Sequence, residues 1–185
     1  TLYRYWGYNM FLDKTETFVL NIEGLGKRAT RKHLTKLLKQ IHFCNSFKFT
    51  IFKKNNLYAL EINLPKQQLP YLISFLSFHN YAIYQILESA HSDELLALDH
   101  LLLSSKRFEL VVDGLHDAFI KDKVIDIMNL INQTDYISYT FNRNKINVSC
   151  SPSIFAKLIY LVATHNIDVL GAVYQPRLMH KVRIS

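Results

Sequence analysis

Residues 18–25 read FVLNIEGL and residues 108–115 read FELVVDGL, and this internal repeat constrains the fold more than any other feature of the chain. Each copy is a strand-like run that ends in an acid, a glycine and a leucine. At an offset of 90, Leu34, Leu37, Leu38 and Ile41 fall on Val124, Ile127, Met128 and Ile131. Apolar residues three and four apart line one face of a helix, so a helix follows each strand. Further on the offset is 86: Leu69, Leu72, Ile73 and Leu76 fall on Phe155, Leu158, Ile159 and Val162, and His79-Asn80 falls on His165-Asn166. The second copy has therefore lost four residues, and the hairpin around 53–57 is the expected place, because surface turns tolerate shortening.

The order within each copy reads strand, helix, strand, strand, helix, strand. Phe18, Leu20 and Ile22 alternate with Val19, Asn21 and Glu23, the period of a half-buried strand. A helix is expected to about His42, then strands at 47–51 and 60–62 around a Lys-Lys-Asn-Asn turn. Pro65 is expected to open a second helix that Asn80 closes, with a last strand at 81–87. Ser92-Asp93-Glu94 reads as a helix start, and Leu95, Leu98 and Leu102 as one face of a linker helix. The second copy repeats the order, with a helix over 121–132, a hairpin of 136–141 with 145–150, a helix from Pro152 and a strand over 168–174. The fold class is α+β: two tandem ferredoxin-like βαββαβ units, each an antiparallel sheet with two helices on one face, joined by the linker helix. The opposite sheet face of the first unit would present Asn21, Glu23, Lys48, Thr50, Glu61 and Asn63, a polar surface of mixed charge.

Boundaries follow from the repeat. Residues 1–17 are an aromatic arm, 18–88 the first unit, 89–107 the linker, 108–176 the second unit and 177–185 a basic tail. The net charge of +7 is uneven: the first unit carries +7, the second −2, the linker −1 and the tail +3. No apolar run reaches the roughly 18 residues of a spanning helix, and no secretory signal is visible. Cys44 and Cys150 occupy different places in the two copies, which is no disulfide framework, so a reducing, cytoplasmic setting is expected.

The strand–glycine junctions, the distances from Gly24 to Leu34 and from Gly114 to Val124, and the helix end before Tyr81 carry a resemblance. Each copy resembles a heavy-metal-associated domain, the small module of copper chaperones and of metal-ATPase amino-terminal regions. Such domains hold metal through Gly-Met-x-Cys-x-x-Cys. Here the stretch is Gly24-Leu25-Gly26-Lys27-Arg28-Ala29-Thr30, so Lys27 and Thr30 stand where the thiolates would be, and Asp117 and Ile120 in the second copy. Cu(I) needs soft sulfur ligands, so the resemblance implies a module whose metal function is lost. The tandem layout also resembles RNA-processing nucleases of bacterial defence systems, but Gly171 stands alone where those carry a glycine-rich loop.

No other constellation points to chemistry. The eight histidines include no His-x-x-x-His pair on a helix, and His79 and His165 are expected to meet the last carbonyls of matched helices. With five glycines and no Gly-x-Ser-x-Gly, neither a phosphate loop nor a nucleophile elbow can be assembled. No catalytic residue, metal or cofactor is expected. Arg28, Lys32, Lys36 and Lys39 fall within an arc of about 80° on the first helix, flanked by Lys27 and Arg31, a surface able to meet phosphates or acidic protein. Charged helix faces are most often merely solvated. At the matched positions of Lys32 and Lys36 the second copy has Asp122 and Asp126, so the two helices present opposite charge. Base stacking on the open sheet face is disfavoured, since Asn21 and Val111 occupy the first-strand positions where aromatics would be needed. Tyr3, Tyr5, Trp6 and Tyr8 are either an arm packed on its own domain or a docking arm. The sequence therefore predicts a non-catalytic interaction module with protein partners, with nucleic-acid binding as the alternative and a metal- or ligand-sensing domain of a transporter as a third.

Overall fold

The structure is a computed structural model that describes residues 14–42, 45–97 and 105–175. The first half contains β1 (Thr15–Ile22), α1 (Arg28–Leu38), β2 (Lys48–Lys54), β3 (Leu57–Pro65), α2 (Leu69–Phe78) and β4 (Ile83–Glu88). The second contains β5 (Lys106–Val112), α3 (Ala118–Asn132), β6 (Ser138–Asn142), β7 (Lys145–Cys150), α4 (Pro152–Thr164) and β8 (Val169–Gln175). The first copy's second helix starts later than expected: Pro65 ends β3, Lys66–Gln68 is a short 3₁₀ turn, and Pro70 sits in the first turn of α2.

Two separate sheets were expected, but the strands form one antiparallel eight-stranded sheet in the order β2-β3-β1-β4-β8-β5-β7-β6. The last strands of the two halves pair edge to edge at Ile86 and Ala172. That pairing satisfies backbone groups that two free edges would leave open. Alternate strand residues, including Phe18, Leu20, Phe108 and Leu110, are buried with the apolar helix faces in one core running through both halves. α2 and α4 pack together over the junction, where Ser74 Oγ donates to Ala163 O at 3.3 Å.

The repeated features have local causes. Gly24 and Gly114 lie at φ +76° and +70°, a conformation that disfavours any side chain. The His-Asn dipeptide is a helix stop: Asn80 and Asn166 adopt φ 60° and 57°. Tyr81 N donates to Leu76 O and Asn80 N to Ser77 O, the paired bonds of a Schellman end, and Ile167 and Asn166 repeat them. His165 Nδ1 donates to Leu161 O at 2.6 Å, the capping contact expected for it, while the His79 ring lies 4.6 Å from that of Phe75.

The missing residues lie in the hairpin, as the offsets indicate. Phe52 pairs with Ala59 as Asn142 pairs with Lys145, but the first half then adds two rungs, Lys53–Tyr58 and Lys54–Leu57. Asn55 and Asn56, both at positive φ, make the tight turn beyond them.

Over its described residues, 89–97, the expected linker is not an α-helix. Residues Ser89–Glu94 make 3₁₀ turns kinked at His91, and Leu95 is extended at φ −60°, ψ 125°. Leu98 and Leu102, the rest of that expected helical face, lie outside the described residues, as do Tyr3, Tyr5, Trp6, Tyr8, Cys44 and the basic tail. Residues 89–97 run as a strap over part of the outer face of the first half: of the expected open polar surface Asn21 is buried, Glu61 and Asn63 are half-buried, and Glu23, Lys48 and Thr50 stay exposed.

Candidate functional site

α1 forms because Leu34, Leu37 and Leu38 fall on one face and enter the core, leaving the opposite face to water. Arg28, Lys32 and Lys36 are exposed on that face, with Lys39 as the residue that caps the helix. None of the four lies within ion-pair distance of a carboxylate among the described residues. The N-terminus adds to the positive field: Lys27 is the N-cap without a side-chain bond, and the first turn holds no acid. The sequence places Arg31 on the flank of this surface, but its guanidinium is occupied. Its Nη1 donates to Leu25 O at 2.7 Å and to Gly26 O at 2.8 Å, and it stacks 3.9 Å from the centre of the Tyr58 ring. Tyr58 belongs to the rungs present only in the first half, so the longer hairpin turns Arg31 into a clamp on the loop before α1.

In the second half Asp122 and Asp126 are exposed on the corresponding face of α3. The N-cap there is Asp117, whose side chain accepts from Phe119 N at 2.8 Å. Lys121, the counterpart of Arg31, reaches to 5.1 Å from the Phe141 ring of β6. Arg31 over β3 and Lys121 over β6 place α1 and α3 at opposite ends of the sheet. The opposite charges of the two helices therefore do not meet within one molecule.

The positions where thiolates would stand are otherwise used. Lys27 and Asp117 are helix caps, Thr30 packs beside Gly24 and Ile120 beside Gly114. No group of three His, Cys, Asp or Glu side chains converges among the described residues. Cys150 is buried, and burial pushes its thiol up to about 12. No described helix is long and apolar enough to cross a membrane.

The strap is the feature that sequence reasoning missed. Gln85 is 0% exposed and Asn21 7% exposed, a carboxamide pair on the outer face of β4 and β1. Asn21 Nδ2 donates to Gln85 Oε1 at 2.9 Å and to Leu96 O at 3.0 Å. Gln85 Nε2 donates to Glu94 O at 2.9 Å, and Gln85 Oε1 accepts from Leu96 N at 2.8 Å. Leu95 packs on Val19, Ala59 and Leu87, a small apolar cluster on the side of the sheet away from the helices. Lys54 pairs with Asp93 and holds its carboxyl below the usual range. A signal did exist: β1 is apolar at Phe18, Val19 and Leu20 in succession, and a strand buried on both faces reads as a continuous apolar run.

The matched outer face of the second half has Glu109, Val111, Lys145 and Gly171 at the positions of Val19, Asn21, Ala59 and Gln85. Glu109 accepts from Lys145 Nζ at 2.9 Å and from Gln175 Nε2 at 3.0 Å. Beside it lies a shallow polar depression lined by Arg107, Ser138, Thr140, Asn147 and Ser149. Beyond β1, burial and the neighbouring Glu23 carboxylate, which accepts from its hydroxyl, push Tyr84 up to about 12.

No family model matches the chain. No curated protein matches it either. Among solved structures, the crystal structure of protein BT0572 from Bacteroides thetaiotaomicron is similar over 85% of this chain and 91% of that chain, with 14% identity and a TM-score of 0.24, a likeness too low to carry an argument.

Proposed function

We propose that this chain is a non-catalytic interaction module, an adaptor, subunit or regulatory domain made of two ferredoxin-like units fused through their last strands. The strand order within each half and the helices on one face support that description of the units. The recognition surface is the exposed face of α1, and its partner is an acidic protein surface. One observation carries this reading: Arg28, Lys32, Lys36 and Lys39 lie together with no carboxylate partner among the described residues, beside a helix N-terminus that has no acid in its first turn. Such a surface attracts an oppositely charged patch and speeds encounter with it. The free, buried Cys150 fits a reducing, cytoplasmic setting. The absence of thiols at Lys27 and Thr30 fits a heavy-metal-associated ancestor that has lost its metal.

Nucleic acid is the second reading, favoured by the same row of cations. The strap argues against the version in which bases stack on the sheet, because it covers Asn21 and Gln85 on the central strands of that face. Polyglutamate and polyuridylate, titrated against the purified chain over a salt series, separate the two readings. Binding to polyglutamate, abolished by charge reversal at Lys32 and Lys36, supports the protein-partner reading. Binding to the RNA alone, with log affinity falling against log salt at a slope of about −3 for four neutralised phosphates on a single strand, replaces it with the nucleic-acid reading. No binding to either at low salt removes α1 as the recognition surface.

A further inference from the structure

The strap meets the first half as a ligand meets a site. We propose that the outer face of the first half is a peptide-recognition site for an extended acidic dileucine segment. Asp93-Glu94-Leu95-Leu96 is the copy held in cis, and a partner segment of the same chemistry competes with it. This deepens the reading of the chain as an interaction module without using α1.

Three kinds of complementarity support it. The buried carboxamides of Asn21 and Gln85 read main chain, taking the Leu96 N–H and carbonyl and the Glu94 carbonyl. Main-chain bonds give a peptide site its affinity whatever the side chains, and pockets give it specificity. Leu95 has its seat on Val19, Ala59 and Leu87, while Leu96 lines a cleft of 160 Å³ beside Leu25 and Tyr58. Lys54 supplies the charge that selects an acid two residues before the first leucine, with its Nζ also 3.3 Å from Ser92 Oγ.

The hold on the strap is local. Residues 94–96 join no strand ladder, and the Asp93 side chain is 85% exposed. Segments with few buried apolar contacts open at the low end of the stability range. When this one opens, Asn21 and Gln85 lose their main-chain partners on an apolar face, a state that favours capture of another extended chain. The second half has Val111 and Gly171 at the carboxamide positions and no counterpart of Lys54, so the site belongs to the first half alone.

The test uses a fluorescent synthetic peptide, Ser-Asp-Glu-Leu-Leu-Ala, and the full chain carrying Leu95→Asp and Leu96→Asp, which cannot seat its own strap. The peptide is expected to bind this variant at least tenfold more tightly than wild type, because the tethered copy competes at an effective concentration of the order of millimolar. Adding Lys54→Glu should weaken binding severalfold, as expected for an exposed ion pair, and adding Lys32→Glu and Lys36→Glu should leave it unchanged, which separates this site from the basic helix. If the double variant does not fold, Leu95→Ala is read in the same way. A folded strap variant that ignores the peptide up to about 1 mM, or binds a peptide with both leucines replaced by aspartate equally well, overturns the proposal. So does loss of binding through Lys32 and Lys36 in place of Lys54, or a wild-type dimer formed by exchanging straps, since each gives the peptide or the site another explanation.

Discussion

The two halves share strand order, helix positions, glycine turns and helix stops, yet they use their surfaces differently. The first covers the β1–β4 part of its outer sheet face with the chain's own strap and carries a cationic helix whose Arg28, Lys32, Lys36 and Lys39 have no carboxylate partner among the described residues. The second leaves a charged and hydroxylated sheet face open and places acids on the matching helix. Four residues in one hairpin account for much of the contrast. The added rungs bring Tyr58 under Arg31, which clamps the loop before α1, and bring Lys54 to Asp93, which anchors the strap. A duplication thus supplies two frames, and a small length difference beside an edge strand decides which frame acquires a covered face.

The comparison can be broken at several depths. The deepest is the core. Phe108 stacks on Phe155 with ring centroids 4.2 Å apart, whereas Leu69 stands at the matching place in the first half. Phe108→Ala should cost about 4 kcal/mol in urea unfolding. It should exceed Phe18→Ala by about 1 kcal/mol, the worth of the aromatic pair. Equal losses would show that the stacked rings contribute no more than their buried area.

Next comes the carboxamide pair. Gln85→Leu removes one of the two partners of Asn21 Nδ2 and the side-chain partners of Leu96 N and Glu94 O, and should cost about 2–3 kcal/mol, the penalty for stranded polar groups. Glu109→Gln in the second half weakens a partly exposed ion pair with Lys145 and should cost less than about 1 kcal/mol. If the order were reversed, the strap would not be the feature that distinguishes the halves.

Smaller again is the clamp. Arg31→Ala loses bonds to two carbonyls and the stack on Tyr58, and should cost about 1–2 kcal/mol. Lys121→Ala, at the same place in the other half, should fall within about 0.5 kcal/mol of wild type.

The smallest effect is one of pH. The Asp93 carboxyl is held down by Lys54, and that of Asp135 by Lys157 and Thr134. A carboxyl depressed in the folded state contributes stability above its ordinary pKa of about 3.9 and loses it as pH falls through the depressed value. Amide exchange at Leu96 should therefore quicken relative to the core below about pH 4, and Asp93→Asn should remove that dependence.

Much of this was legible in the chain. Spacing located the four core helices and the shortened hairpin, and residue type the left-handed Asn80, because each follows from local geometry that repeats in both copies. The cationic row was legible too, since helical position fixes which residues share a face. The edge-to-edge pairing was not, because Ile86 and Ala172 read like any buried strand residues and nothing local marks a strand that pairs with its sibling. The strap was misread for a different reason. Leu95, Leu98 and Leu102 have helical spacing, but the hydrogen-bonding needs of Asn21 and Gln85 draw 94–96 into an extended path that propensity cannot foresee. Arg31 was grouped with the free cations because Tyr58, its stacking partner, lies on a hairpin whose extra length had no evident role.

The most direct test of the unequal roles is a paired charge reversal read by affinity for polyglutamate at low salt. One variant carries Lys32→Glu and Lys36→Glu, the other Asp122→Lys and Asp126→Lys. Binding should fall at least tenfold in the first, and in the second stay within a factor of about two of wild type, because the unchanged cations of α1 carry recognition. Equal responses of the two halves, or none in either, would contradict the account.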